Sequence, residues 1–216
     1  MDTTVESQDL ERISFLTNRL LARAAATGAR QMIGIVGAPG TGKSTIAEHI
    51  SSLLPPQSSV VVPMDGFHLA GSIIDGTPLR CRRGAIDTFD ADGYLSLLRR
   101  IRDQGDEIVY APSYRRGLEE PIAASIAIPP SATYVITEGN YILSSEHPWS
   151  EIRAVLDEVW FVDTPRQTRL TRLIDRHVKF GMDRPAATAW ANGPDEINAQ
   201  LVQETRVRAD RIVDWS

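Results

Sequence analysis

Gly37-Ala38-Pro39-Gly40-Thr41-Gly42-Lys43-Ser44 follows Met32-Ile33-Gly34-Ile35-Val36 and runs directly into Ser44 to Leu54. The first five residues form an apolar run that reads as a buried strand. The last eleven are helix-compatible and stop at Pro55-Pro56, where the fixed proline φ and missing N–H end a helix. The eight residues between them match G-x-x-x-x-G-K-[ST] at every specified position. Strand, glycine-rich turn and helix in that order form a cradle for phosphate. The glycines let successive N–H groups point inward, and the helix start adds its dipole and free donors. Lys43 is placed to reach the β- and γ-phosphates and Ser44 to ligate Mg²⁺. With Thr45 one residue further, 37–45 is the expected nucleotide-binding segment.

The rest of the chain repeats this alternation. Residues 5–27 have apolar positions at helical spacing (Leu10, Ile13, Leu16, Leu20, Leu21, Ala24), with Gly28 as C-cap. Further strands are expected at 60–62, 134–137, 159–162 and 212–213. Helices are expected at 92–103, 165–179 and 195–209. Apolar strands between helices predict an α/β three-layer sandwich, with a mainly parallel sheet of about five strands covered on both faces. Between 104 and 131 the pattern weakens, and residues 108–110 and 122–128 are expected to pair as a small hairpin outside the sheet. The 216 residues read as one domain, 1–216, with an amino-terminal helix (1–29), the hairpin (104–131) and a helical lid (165–192).

Composition removes several function classes. The net charge of −5 supplies no basic field for nucleic acid or an anionic membrane surface. The single cysteine, Cys81, permits no intrachain disulfide and reads as passive rather than nucleophilic. The acidic start and the shortness of the apolar runs predict a soluble, cytoplasmic protein. Of the 23 basic residues only Lys43 and Lys179 are lysine, which makes Lys43 conspicuous.

A second candidate group begins with Asp65 in Pro63-Met64-Asp65-Gly66-Phe67-His68, just past the second strand. Ligands of open parallel sheets sit at the carboxyl ends of the strands, so Asp65 is placed near the γ-phosphate. A carboxylate there can take the proton of an attacking hydroxyl; an aspartate that only caps the next turn is the alternative. Thr164-Pro165 predicts a helix start, with Thr at N-cap and Pro at N1. Arg166, Arg169, Arg172 and Arg176 follow roughly along one face, as closing over a transferring phosphoryl group would require, or as an exposed arginine face would look. Gly181 would end that helix and act as a hinge, and His177 reads as packing.

The phosphate cradle, M-D-G-F-H, 82–90 (RRGAIDTFD), 111–114 (APSY) and Thr137-Glu138-Gly139-Asn140-Tyr141 occur in that order over roughly residues 30–213. Together they resemble the phosphoribulokinase/uridine kinase family of P-loop kinases, closest to its nucleoside/nucleotide kinase-like and fructose-transport-system kinase-like branch. The resemblance implies ATP and Mg²⁺ as cofactors and transfer of the γ-phosphoryl group to a hydroxyl of a small metabolite. It makes Asp65 the catalytic base, with Lys43, Arg169 and Arg172 on the phosphates. It places Glu138 near the metal, bound directly or through water, beside Ser44. It makes His68, Arg83, Asp87, Phe89, Tyr114, Glu138 and Asn140 the acceptor-side residues. The arginines at 80, 82 and 83 could equally form a solvated face. Uridine kinases carry Asp after the tyrosine, where Arg115 stands here. That weakens a nucleoside assignment and favours an acidic or phosphorylated acceptor. The expected partner is a small molecule, with neither nucleic acid nor membrane; whether the amino-terminal helix packs on the sheet or dimerises stays open. The competing reading is a non-kinase nucleotide-binding regulator or slow ATPase.

Overall fold

The computed structural model describes residues 3–215. In chain order the elements are α1 (Thr3–Thr27), β1 (Gln31–Val36), α2 (Lys43–Leu53), β2 (Ser59–Pro63), α3 (Gly71–Ile74), α4 (Ala91–Arg102), β3 (Val109–Arg115) and β4 (Glu120–Ile128). They continue as β5 (Tyr134–Gly139), α5 (Ile152–Val155), β6 (Glu158–Asp163), α6 (Arg166–Lys179), α7 (Arg184–Asn192), α8 (Pro194–Glu204) and β7 (Arg211–Asp214). The main sheet has the order β2-β5-β1-β6-β7, with every neighbouring pair parallel. All six residues of β1 and of β5 are buried, as central strands covered on both faces must be.

Side-chain alternation along the strands divides the core in two. From β1, Ile33 and Ile35 join Ile136, Trp160 and Val162 under α1 (Ile13, Leu16, Leu20, Ala24) and α2 (Ile46, Ala47, Ile50). Met32 and Val36 point the other way, with Val135, Val159 and Phe161, onto α4 (Tyr94, Leu95, Leu98, Ile101) and the Trp149–Ile152 turn. The amino-terminal helix therefore packs on the sheet. Its expected apolar stripe is buried except at the rim, where Leu10 stays exposed. Gly28, at φ +62°, ends it as a left-handed C-cap. Asp90 caps α4 by accepting from the Gly93 N–H at 2.8 Å.

β3 and β4 form the antiparallel hairpin outside the main sheet, with Val109 opposite Ile128 and Arg115 opposite Glu120. Gly66 packs directly against the Pro112 carbonyl, so close that a Cβ has no room. That contact sets the hairpin beside the turn that carries Asp65.

Two details of residues 164–192, the expected lid, differ from expectation. Thr164 is not the cap of α6. The helix begins at Arg166 after an extended Pro165, and the buried Thr164 hydroxyl donates to the Thr41 carbonyl at 3.2 Å instead. A hydroxyl this close to the phosphate cradle satisfies a buried carbonyl there rather than a helix N–H. The second difference is α7, a helix that periodicity over 184–192 did not announce. Its signal is local: Asp183 accepts from the Ala186 N–H at 2.8 Å, and Pro185 occupies the first turn. Leu170, Leu173 and Ala191 join α6 to α7 in a small third core. No described helix is long and apolar enough to cross a membrane.

Candidate active site

The cradle leaves β1 and closes onto α2 through two left-handed glycines, Gly40 (φ +82°) and Gly42 (φ +89°). At Gly40 a Cβ would stand 2.7 Å from the Arg169 carbonyl and 2.9 Å from Leu173, so glycine is required by space as well as by φ. At Gly37 it would stand 2.7 Å from both Thr41 Oγ1 and the Val162 carbonyl. Lys43 curls back over the loop, its Nζ donating to the Ala38 carbonyl at 3.2 Å, and it is buried. Burial pushes its pKa down to about 8, and Arg176 and Arg116 push the same way against Glu138 and Asp65. A cation held this way, with one neutral partner, is primed for an anion.

Parallel pairing brings the carboxylates to that lysine. Pro63 of β2 stands opposite Glu138 of β5, and Glu138 opposite Ile35 of β1, so Glu138 near the end of β5 and Asp65 just past β2 both lie at the carboxyl edge of the sheet beside the cradle. Glu138 accepts from Ser44 Oγ at 2.9 Å. Burial, then the Asp65 charge, raise its pKa, with Lys43 and the Ser44 hydrogen bond acting in opposition. Asp65 goes the other way. Burial raises it, but His68, Arg116, Lys43 and Arg176 together outweigh burial and hold it below the usual carboxylate range. Two neighbouring carboxylates pushed apart are the usual mark of divided roles. Ser44 Oγ and the Glu138 carboxylate are hard oxygen donors that fit Mg²⁺. Among the described residues no three or more His, Cys, Asp or Glu side chains gather as a metal site, so such an ion would complete its shell with phosphate oxygens and water.

These groups line one cavity of about 720 Å³. The wall away from the cradle is aromatic. His68 lies 4.1 Å from Phe89 and 4.6 Å from Tyr114, centroid to centroid, and its Nδ1 is 2.8 Å from the Asp65 carbonyl. Burial drives His68 toward the neutral ring, against the pull of Asp65. Tyr114 donates to Glu119 Oε2 at 2.9 Å. Of the sequence-derived acceptor set, His68, Arg83, Phe89, Tyr114, Glu138 and Asn140 all line the cavity.

Asp87 does not. It is exposed and paired with Arg82, turned away from the cavity. Arg115 is exposed as well, while Arg116 lines the cavity and donates to Asp65 Oδ2 at 2.8 Å. Arg116 lies in the turn just past β3, so strand alternation does not assign its side chain. The lid arginines also redistribute. Arg169 is buried behind the cradle, donating to the Pro39 carbonyl at 3.2 Å and pairing with Glu196 at 3.3 Å. Arg172 lies beside Gly42 and Trp215, with Nη1 3.5 Å from the Thr41 carbonyl. Arg176, two turns beyond Arg169, is the one that faces Lys43, Asp65 and Glu138. His177 lines the cavity, with Nε2 2.8 Å from Asp195 Oδ2. Cys81 is exposed at the cavity wall.

Three similarities bear on this site. A candidate fructose transport system kinase of Silicibacter sp. TM1040 superposes with a TM-score of 0.84 at 32% identity, over 93% of this chain and 98% of that one. A candidate uridine kinase of Schizosaccharomyces pombe is 30% identical over 99% of this chain and 94% of its own length. The ATP-dependent kinase-like protein notR' of Aspergillus versicolor is 33% identical over 69% of this chain and 92% of its own. The chain belongs to the phosphoribulokinase/uridine kinase family of P-loop kinases. As a member of it, this chain is an ATP-dependent kinase. The profile of the magnesium chelatase ChlI subunit also matches residues 12–62. That stretch spans most of α1 and runs through β2, so it holds the nucleotide cradle but neither Glu138 nor the lid.

Proposed function

We propose that this protein transfers the γ-phosphoryl group of ATP to a hydroxyl of a small metabolite, with Mg²⁺ at Ser44 and Glu138. The observation that carries this reading is the placement of Asp65. It faces Lys43, Ser44 and Glu138 in one cavity whose other wall is built from His68, Phe89, Tyr114 and Arg83. A slow ATPase or nucleotide-sensing regulator needs the cradle but not that second wall. Lys43 and Arg176 neutralise charge on the transferring group, and Mg²⁺ held by Ser44 and Glu138 would supply further charge withdrawal from the phosphates. Asp65 is firmly ionised and therefore a weak base. Its work is to orient the acceptor hydroxyl and take the proton late, which suits a loose phosphoryl-transfer transition state. We also assign the 37–45 segment to the phosphates, and the end of α6 with α7 to a lid that turns at Gly181 (φ +99°).

The test is ADP release from ATP over a panel of nucleosides, sugars, sugar phosphates and hydroxy acids, with Asp65→Asn alongside. Release stimulated by an acceptor, falling about 10²–10⁴-fold in Asp65→Asn with nucleotide affinity kept, is the expected result. Near-normal turnover of that variant would remove Asp65 from the chemistry. Release that no acceptor stimulates would favour the regulator.

A further inference from the structure

Away from the cradle, the cavity carries two guanidiniums that phosphoryl transfer does not account for. Arg83 and Arg116 place their guanidinium carbons 5.7 and 5.9 Å from the centroid of the same Tyr114 ring. The nearest acid, Glu119, lies in the field of both arginines, but its carboxylate accepts from Tyr114 at 2.9 Å and from the Gly117 N–H at 2.8 Å and forms no ion pair with either guanidinium among the described residues. Arg83 reaches only the Glu119 carbonyl, and its Nε is buried with no hydrogen-bond partner. A buried donor without a partner is costly, and folded proteins seldom leave one without cause. Arg116 does have an anion, but that anion is Asp65, the group the acceptor hydroxyl needs.

A neutral acceptor could offer Arg83 Nε an oxygen, but it has no charge with which to draw Arg116 off Asp65. An acceptor with its own anion does both, because guanidinium donors grip a carboxylate or phosphate in the same plane. Resting on the kinase reading above, we infer that the acceptor is an anionic alcohol whose carboxylate or phosphate is held by Arg83 and Arg116, drawing Arg116 off Asp65. The aromatic wall of His68, Phe89 and Tyr114 then packs on the carbon skeleton rather than selecting a base.

The first test needs no turnover. The protein is saturated with Mg²⁺ and a non-hydrolysable ATP analogue, which fills the cradle, and inorganic phosphate is titrated in by calorimetry. Wild-type protein should bind phosphate. Arg83→Gln and Arg116→Gln should each weaken it about 10- to 100-fold, the usual worth of a charge-assisted hydrogen bond. Arg82→Gln, whose side chain pairs with Asp87 outside the cavity, should leave it unchanged. Absent binding, or equal affinity in all four proteins, overturns the subsite. The second test compares ADP release with matched acceptors: glycerate against glycerol for a carboxylate, ribose 5-phosphate against ribose for a phosphate. The anionic member of at least one pair should be preferred, and the preference should vanish in Arg83→Gln. Equal use of neutral and anionic members sinks the subsite and leaves the kinase standing. Phosphate binding that depends on both arginines, with no acceptor-stimulated release anywhere, does the reverse.

Discussion

Nucleotide binding should draw a proton onto Lys43 at mildly alkaline pH. In the free protein burial holds this lysine at a pKa of about 8, well under its ordinary 10.5. At pH 8 roughly half of the molecules therefore carry it neutral. A triphosphate in the cradle returns it to the charged form, so each binding event takes up about 0.1 proton at pH 7, about 0.5 at pH 8 and about 0.9 at pH 9. Affinity should accordingly fall about tenfold between pH 7 and pH 9. The stability of the free protein follows with a definite sign. Because folding lowers this pKa, charging Lys43 opposes the fold by about 3 kcal/mol below pH 8. That penalty fades as pH rises from 8 toward 10.5, so this residue's contribution to stability improves over the window. The assay is calorimetric titration with a non-hydrolysable ATP analogue in paired buffers of different ionisation enthalpy, from pH 7 to 9.5. Lys43→Arg should abolish the uptake and Cys81→Ser should not change it. No uptake at pH 8–9, or the same uptake in Lys43→Arg, would refute the placement of a buried, weakly partnered lysine under the phosphates.

Three further outcomes follow from α6 and the cradle. Arg176→Ala should lower turnover about 10²–10³-fold with an unchanged Tm, since the side chain faces the reacting groups and holds no ion pair among the described residues. Arg169→Ala should instead lower Tm by several degrees, because it leaves the Pro39 carbonyl behind the cradle unpaired and Glu196 with Arg166 alone; paired activity and melting measurements separate the two. Gly40→Ala combines positive φ with a Cβ 2.7 Å from the Arg169 carbonyl, so it should weaken nucleotide binding at least tenfold in the same titration. Retained affinity would show that the loop relaxes freely.

Much of this protein is legible along the chain because its signals are local. Strand, cradle and helix at 32–54 are written in apolar runs, glycines and the Pro55-Pro56 stop, and the five parallel strands appear where short apolar runs alternate with helices. Asp65 is legible too, since strand ends in a parallel sheet converge on one edge, and Glu138 is legible through the family resemblance. What the chain does not write down is which of several similar side chains reaches that edge. Arg169 and Arg176 are seven residues apart and share a helix face, yet the cradle backs the first turns of α6, so only the side chain about 10 Å further along clears it. Asp87 is inside a family-like segment, but its turn faces outward to Arg82. Arg116 comes to Asp65 only because the hairpin docks on Gly66. Periodicity assigns a side chain to a face; the packing of one element against another decides what that face meets.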